Sequence, residues 1–546
     1  MRGTRSAKWV AGAIGVALAA TACGGSDDSG NGNGNGGGGE GGGSASAVFS
    51  VDAGEPQNPL IPTDTNEQYG ALVIDNVFAN LVDFDDEGDL VYTAAESIEA
   101  NEDATEWTVT LREGWTFHDG EAVTAESYVN AWNWAAQLSN NQKNSYWFAD
   151  IEGYDEVHPE EGDATAEEMS GLEVVDELTF TVTLSSPVSY FNYKLGYNPF
   201  TPLPSSFYED TEAFGQKPIG NGPYKFASWE RDSKITLEAY EDYAGENKAQ
   251  NDGVELVNYN NLNAAYNDLL SDSLDILRLV DPQNLPVFKD DLGDRAISQP
   301  YMANQTLVPV FYSETWEDTD PRVLQGLSMA IDRETIVSTV MNDSVTVATG
   351  FVAPGAMGFQ ENAGGEVMEF DPERAKDLID EAGGVPGDEI TIQYNADGGH
   401  EAWVTAVCNS IRQNTGVECT GDAKPDFQTD LNARDAQEVE SMYRGGWIAD
   451  YPLNVSFMKE LYGTGSSANT GFFSNEEVDA LFAEGDSAAS LEETVAAYQE
   501  AEKVLFEHMP AIPLWHQGVN GGFSQNVENV RFSVTGQPIL TEVTVK

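Results

Sequence analysis

Basic side chains are scarce in this chain of 546 residues: Lys and Arg total 26 against 92 Asp and Glu, a formal net charge of −66. Phosphate binding needs basic patches, so a nucleic-acid partner is excluded. An anionic membrane surface would repel the body of the protein. Histidine occurs only at His118, His158, His400, His508 and His516, and none stands in HExxH or another metal-ligand spacing. No GxSxG elbow and no phosphate-cradling GxxxxGK(S/T) loop occurs. Ser456 to Lys459 reads S-x-x-K, but no K-T-G accompanies it. With no catalytic constellation, neither an enzyme nor a cofactor is expected. Cysteine is confined to Cys23, Cys408 and Cys419, without a CxxC or zinc pattern. Past the N-terminus no apolar run is long enough to span a bilayer, and no tandem repeat is visible.

The acidity has two readings. It is a solvated surface that keeps the protein soluble in a salty medium, or it steers cationic ligands. High salt shortens the Debye length to ~3 Å and would remove that steering.

What is present begins with a leader. Arg2, Arg5 and Lys8 precede an apolar stretch from Trp9 to Ala20, then Ala20-Thr21-Ala22-Cys23. Small residues before a cysteine resemble a bacterial lipoprotein cleavage site, with Ala20 where many such sites have Leu. The expectation is a signal peptide over 1–22 and a lipid anchor on Cys23, two or more acyl chains being needed for stable attachment. Ordinary signal cleavage beside an incidental cysteine is the alternative. Residues 23–46 are almost wholly Gly, Ser, Asn and Asp after the cysteine, a flexible tether with a random-coil reach of roughly 25 Å.

From Val48 the pattern turns globular, and the length calls for more than one core. Tyr69, Leu72, Val73, Val77 and Leu81 recur at helical spacing. Trp107, Val109 and Leu111 alternate with polar residues, as do Leu178, Phe180, Val182 and Leu184, which predicts half-buried strands. Thr124 is set to cap a helix through Tyr128 and Trp132. Asp371-Pro372-Glu373 opens another, with apolar Ala375, Leu378, Ile379 and Ala382 and a stop at Gly383. The chain is therefore α/β. Cys408 falls near the end of a predicted helix and Cys419 in the strand that follows. An exported protein permits a bridge between them; two buried thiols are the alternative.

Five segments, in order, resemble the family 5 solute-binding proteins, the oligopeptide-binding lipoproteins of ABC importers. They are EWTVTLREGWTFHDG at Glu106–Gly120 with Val123–Tyr128; PIGNGPYKF at Pro218–Phe226; Arg322–Arg333; Asp371–Gly383; and RGGWIADYP at Arg444–Pro452. Together they cover nearly all of the chain after the tether. The resemblance implies a two-lobed periplasmic-binding-protein type II fold (cluster C). Lobe I would comprise 47–67, 206–301 and 517–546, with an extra subdomain at 68–205, and lobe II 302–516. It also implies a monomer on the outer face of the cytoplasmic membrane, a peptide ligand and ABC permease partners. A non-peptide ligand, such as an oligosaccharide or a chelated metal, stays open because fold does not fix ligand.

The resemblance also assigns site residues. Asp450 matches the carboxylate that pairs with a peptide's α-ammonium, a charge-assisted bond about twice as strong as a neutral one. Arg444 and His400 match positions that take the ligand's carboxylate, with Arg434 a further candidate. Gly446, Trp447 and Ile448 match a strand whose backbone pairs with an extended ligand without reading its side chains. Trp447 could equally be core packing. Tyr146 and Phe427 match aromatics lining side-chain pockets, or are ordinary core aromatics. Glu55 matches the first-lobe strand flanking the ligand. One departure bears on the carboxylate end: Ser313 to Asp318 is acidic and lacks the lysine found there in relatives.

Overall fold

In a computed structural model, residues 47–546 are described, apart from Glu87, Glu160 and Ser467. The expected leader, the tether and Cys23 lie outside the described residues.

The predicted local elements form where their end signals stand. Thr124 caps the helix Ala125–Ala136 through a reciprocal box with Ser127, because its hydroxyl and that of Ser127 satisfy backbone N–H groups the first turn leaves free. Asp371 accepts from the Arg374 N–H at the start of Pro372–Glu381, and Gly383, at φ +93°, lets the chain leave. Trp107, Val109 and Leu111 point inward from the strand Glu106–Leu111. This strand joins Ala95–Ala100, Thr179–Thr183 and Leu172–Asp176 in a four-stranded antiparallel sheet. The helix Ala125–Ala136 covers it with Tyr128 and Trp132, both packed on Phe180.

The main sheet organises the rest. Two long strands, Ala296–Pro309 and Ile512–Phe523, run antiparallel through its middle. Their register shifts twice: the wider break lies midway, between Pro300 and Asn304, and a second irregularity follows between Gln305 and Thr306. Ala296 to Pro300 pair with Gly522 to Gly518, and pairing resumes at Asn304 with His516. On one side of the break the sheet continues through Ile276–Leu277, Val48–Ala53, Gly253–Asn258, Lys234–Ala239 and Tyr224–Glu230. On the other it continues through Met442–Ile448, Glu389–Asn395 and Glu418–Lys424. Two bodies thus hang on one pair of crossing strands, the two-lobed type II architecture. Among the described residues no helix is long and apolar enough to cross a membrane.

Cys408, on the helix Glu401–Thr415, is bonded to Cys419 on the parallel edge strand Glu418–Lys424. Both are buried. The bridge ties the helix to the sheet across 11 residues of chain. Closing so short a loop removes about 3 kcal/mol of unfolded-state freedom. Reduction, or Cys408→Ser with Cys419→Ser, should lower the urea midpoint of this lobe by a corresponding amount. A midpoint unchanged by reductant would refute the contribution.

Candidate functional site

Met442–Ile448 is paired along its whole length on one side, with Ala296–Pro309. On the other side it meets Glu389–Asn395 only at Met442 and Tyr443. From Arg444 to Ile448 that edge has no strand partner among the described residues. Gly446 and Ile448 are exposed there, Trp447 partly so. The Trp447 indole N–H is buried without a partner, while its ring packs on the core. Unpaired strand edges are templates for another extended chain.

Asp450 stands beyond one end of this edge. The Ala449 N–H bonds Met302 O at 2.8 Å, and the Asp450 N–H donates to Ser456 Oγ at 3.1 Å, so the backbone is pinned. Tyr451 is buried, stacked on Tyr190 and edge-on to Trp147. Asp450 lines a cleft of about 440 Å³ between the strand end and the helix Gln68–Val77. Burial, then the nearby Glu460, pushes its carboxyl up to about 8, partly offset by Lys194. No hydrogen bond from another residue reaches its carboxylate among the described residues. Tyr146, 42% exposed, lies near enough for the Asp450 charge to act on its phenol. Tyr197 is held well above its ordinary value by burial and, next, by Asp450.

Arg444 stands at the other end. Its Nε donates to Asn395 Oδ1 at 3.0 Å, and its guanidinium lies 5.1 Å from the Phe427 ring centre. No carboxylate comes within salt-bridge distance of it among the described residues. Burial, then Arg434, lowers it to about 10. His400 occupies the position just before the helix Glu401–Thr415, with no side-chain capping bond. The Trp403 indole donates to its Nδ1 at 3.0 Å, which puts the ring proton on Nε2. Burial and then Arg444 lower His400 to about 3, so it is a neutral donor.

Arg434 and Glu55 are differently employed. Arg434 is buried and paired with Asp430, which has no exposed surface, and its Nη2 also donates to Arg444 O at 3.0 Å. It holds the strand that carries Arg444 instead of facing the edge with a free charge. Glu55 takes the Trp229 indole at 2.9 Å, the Asp232 N–H at 3.1 Å and Arg231 at 3.5 Å. It lines a separate small cavity with Tyr69, and the fold does not bring it to Asp450 or Arg444. Asn395, Asp430 and Tyr197 escaped sequence reasoning. The Asp430–Arg434 spacing of four on a helix was the legible signal for one of them. Asn395 and Tyr197 gave none. Among the described residues no group of three or more His, Cys, Asp or Glu could hold a metal ion.

A family profile described as "Bacterial extracellular solute-binding proteins, family 5 Middle" matches residues 89–469. The chain is 23% identical over 497 residues to the oligopeptide-binding protein OppA of Bacillus subtilis, covering 88% of this chain and 89% of that one. It is 28% identical over 468 residues to the periplasmic oligopeptide-binding protein OppA of Escherichia coli, covering 81% and 82%. The structure of Haemophilus influenzae OppA in complex with RPPGFSPFR superposes with a TM-score of 0.76 at 21% identity, over 92% of this chain and 99% of that one.

Proposed function

Because the chain belongs to the family 5 bacterial extracellular solute-binding proteins, we propose that it captures oligopeptides by lobe closure and hands them to the permease of an ABC importer. One observation carries this reading: a free strand edge, Arg444 to Ile448, with an unpaired carboxylate beyond one end and an unpaired guanidinium at the other. A peptide laid antiparallel on this edge would add a strand, its ammonium at Asp450 and its carboxylate toward Arg444 and the His400 Nε2–H. Six residues of extended chain separate Arg444 from Asp450, roughly 20 Å. That separation suits a short oligopeptide. Backbone pairing gives affinity without side-chain readout.

The hinge belongs at the register break, residues 301–302 and 516–517, with 68–205 riding on the first lobe. Closure would be favoured by ligand only to the extent that ligand binds the closed form better. A signal peptide over 1–22, a lipid anchor on Cys23 and a monomeric body on the outer face of the cytoplasmic membrane complete the reading. The family of solute-binding proteins supports a binding role and not an enzymatic one.

Calorimetry with tri- to pentapeptides bearing free, N-acetylated or C-amidated ends tests it. A free N-terminus should be required, with acetylation costing at least about ten-fold (~1.4 kcal/mol). Failure of every free peptide to bind, or indifference to acetylation, would remove the peptide assignment.

A further inference from the structure

The extra subdomain, residues 68–205, touches both lobes. On lobe I it is firmly seated: the Gly222 N–H donates to Val77 O at 2.8 Å, and Asn221 Oδ1 takes the Ala79 N–H at 3.0 Å. A Cβ at Gly220 or Gly222 would collide with the Val77 backbone, so the two segments are in close contact. From its other side the subdomain sends one turn, residues 188–190, across to lobe II. The turn is rooted in the subdomain, where the Val188 N–H bonds Ala104 O at 3.1 Å. Across the gap the Ser189 N–H donates to Asp486 O at 2.9 Å, and the Ser189 hydroxyl lies 2.6 Å from Thr494 Oγ1. Asp486 ends the helix Glu476–Asp486, and the last carbonyls of a helix have no partner within it. A residue from the opposite body thus completes this helix end. Tyr190 follows, buried and stacked on Tyr451, with its hydroxyl 3.2 Å from Lys459 Nζ. Lys459 is itself paired with Asp486 at 2.8 Å. The receiving surface is braced without the turn, since Phe482 stacks on Tyr498 and the Tyr498 hydroxyl donates to Asp486 Oδ1 at 2.8 Å. Turn and socket meet through few groups, and water can serve the polar ones once the two part, so their hydrogen bonds contribute little net. Such a contact favours one arrangement of the lobes without locking it. It also adjoins the ligand site, because Tyr451 follows Asp450 directly.

We infer that residues 188–190 are a latch with which the extra subdomain clasps lobe II, holding the lobes together and slowing the escape of captured peptide. This rests on the reading of capture by lobe closure above, and it adds the device that sets how long the closed form lasts. Contacts made when the lobes meet and lost when they part shift the equilibrium toward closure with or without ligand. A peptide leaves only after Ser189 and Tyr190 have left their socket, so the strength of the latch is read in the dissociation rate.

Two opposite alterations test it. Ser189→Cys with Thr494→Cys places two thiols where the hydroxyls meet, so that oxidation fastens the latch. Tyr190→Leu removes the stacked ring and its hydroxyl, which loosens it. X-ray scattering from the empty proteins should give a smaller radius of gyration for the oxidised cysteine pair than for Tyr190→Leu. The tightest of the tri- to pentapeptides from the calorimetry above, radiolabelled and chased with unlabelled peptide, should leave Tyr190→Leu about ten-fold faster than wild type. Loaded before oxidation, it should leave the cross-linked protein at least about ten-fold more slowly, and mild reductant should restore release, with wild type treated alike as the control. Ser189→Ala, too small a change in a part-exposed turn to unfold the chain, should speed release by a lesser factor. Equal radii of gyration, or release at wild-type speed from the cross-linked, Tyr190→Leu and Ser189→Ala proteins, overturns the latch while leaving peptide binding standing. If no peptide binds wild type, the capture reading fails, and the scattering by itself decides whether the turn fastens one lobe to the other.

Discussion

Asp450→Asn is expected to weaken binding of a free-ammonium tripeptide by roughly 30-fold to several thousand-fold, the range for losing one partner of a desolvated charge pair, about 2–5 kcal/mol. The same substitution should make the empty protein more stable at pH 8 and above. The sign follows from the titration. In the folded protein the Asp450 carboxyl is raised from its ordinary 3.8 to about 8, chiefly by burial. The fold therefore prefers the protonated form. That contribution to stability is complete below about pH 4 and is lost as pH rises through 8. Asparagine has no proton to lose, so its melting temperature should match wild type near pH 4 and exceed it at pH 8. Binding must also titrate. An ammonium at Asp450 requires the carboxylate, so binding expels a proton when the free protein is below pH 8. Affinity should rise from pH 5 toward pH 7.5 in wild type and stay flat in the variant. Calorimetry in two buffers of different ionisation enthalpy reads the proton directly. Wild-type affinity in Asp450→Asn, or a pH-independent wild type, would remove Asp450 from the ammonium site. A variant that loses ligand while melting higher cannot be dismissed as unfolded.

Asp430→Ala should be among the most damaging substitutions to stability. The Asp430 carboxylate has no exposed surface, pairs with Arg434 and accepts from Gln393 Nε2 at 3.0 Å. Removing it leaves the Arg434 guanidinium buried 4.3 Å from the Tyr443 ring centre, with an Nε that already lacks a partner. Breaking one side of a buried pair costs about 3–5 kcal/mol, mostly through the uncompensated charge. The double replacement Asp430→Leu with Arg434→Met should recover most of that loss, because it removes both charges. It should not recover ligand affinity, since Arg434 also anchors the Arg444 carbonyl. Urea melts of the single and double variants check the first part, and binding of free against amidated peptides checks the second. A single variant within about 1 kcal/mol of wild type would show that the pair contributes as little as a surface ion pair.

Much of the local architecture was legible. The Thr124 and Asp371 caps, the alternating strands and the apolar helix face all depend on contacts within a few residues, and the helix Gln68–Val77 starts where its periodicity begins. Leu81, extrapolated onto that face, lies past the helix end at Val77, though it is still buried. Asp75 interrupts the run Leu72-Val73-Ile74 and Val77, a visible sign that one position of the helix is not core. Nothing in that run says what Asp75 faces. Arg434 and Glu55 show the opposite limit: a residue type in a suggestive segment does not disclose its partner. One is paired with Asp430, the other with Trp229, Arg231 and Asp232.

By itself, the sequence determined the α/β class, the order of elements, the absence of catalytic motifs and the segment from Arg444 to Tyr451. Composition, capping and period are properties of neighbouring residues. Only the tertiary structure decided which carboxylates are enclosed and which cations are left unpaired. Asp430, without exposed surface, accepts from Gln393 although 37 positions separate the two along the chain. Desolvation is set by atoms from every element packed around a group, whatever their distance along the chain. That is why the acidity evident in the composition acquired a direction only where the fold turned it inward.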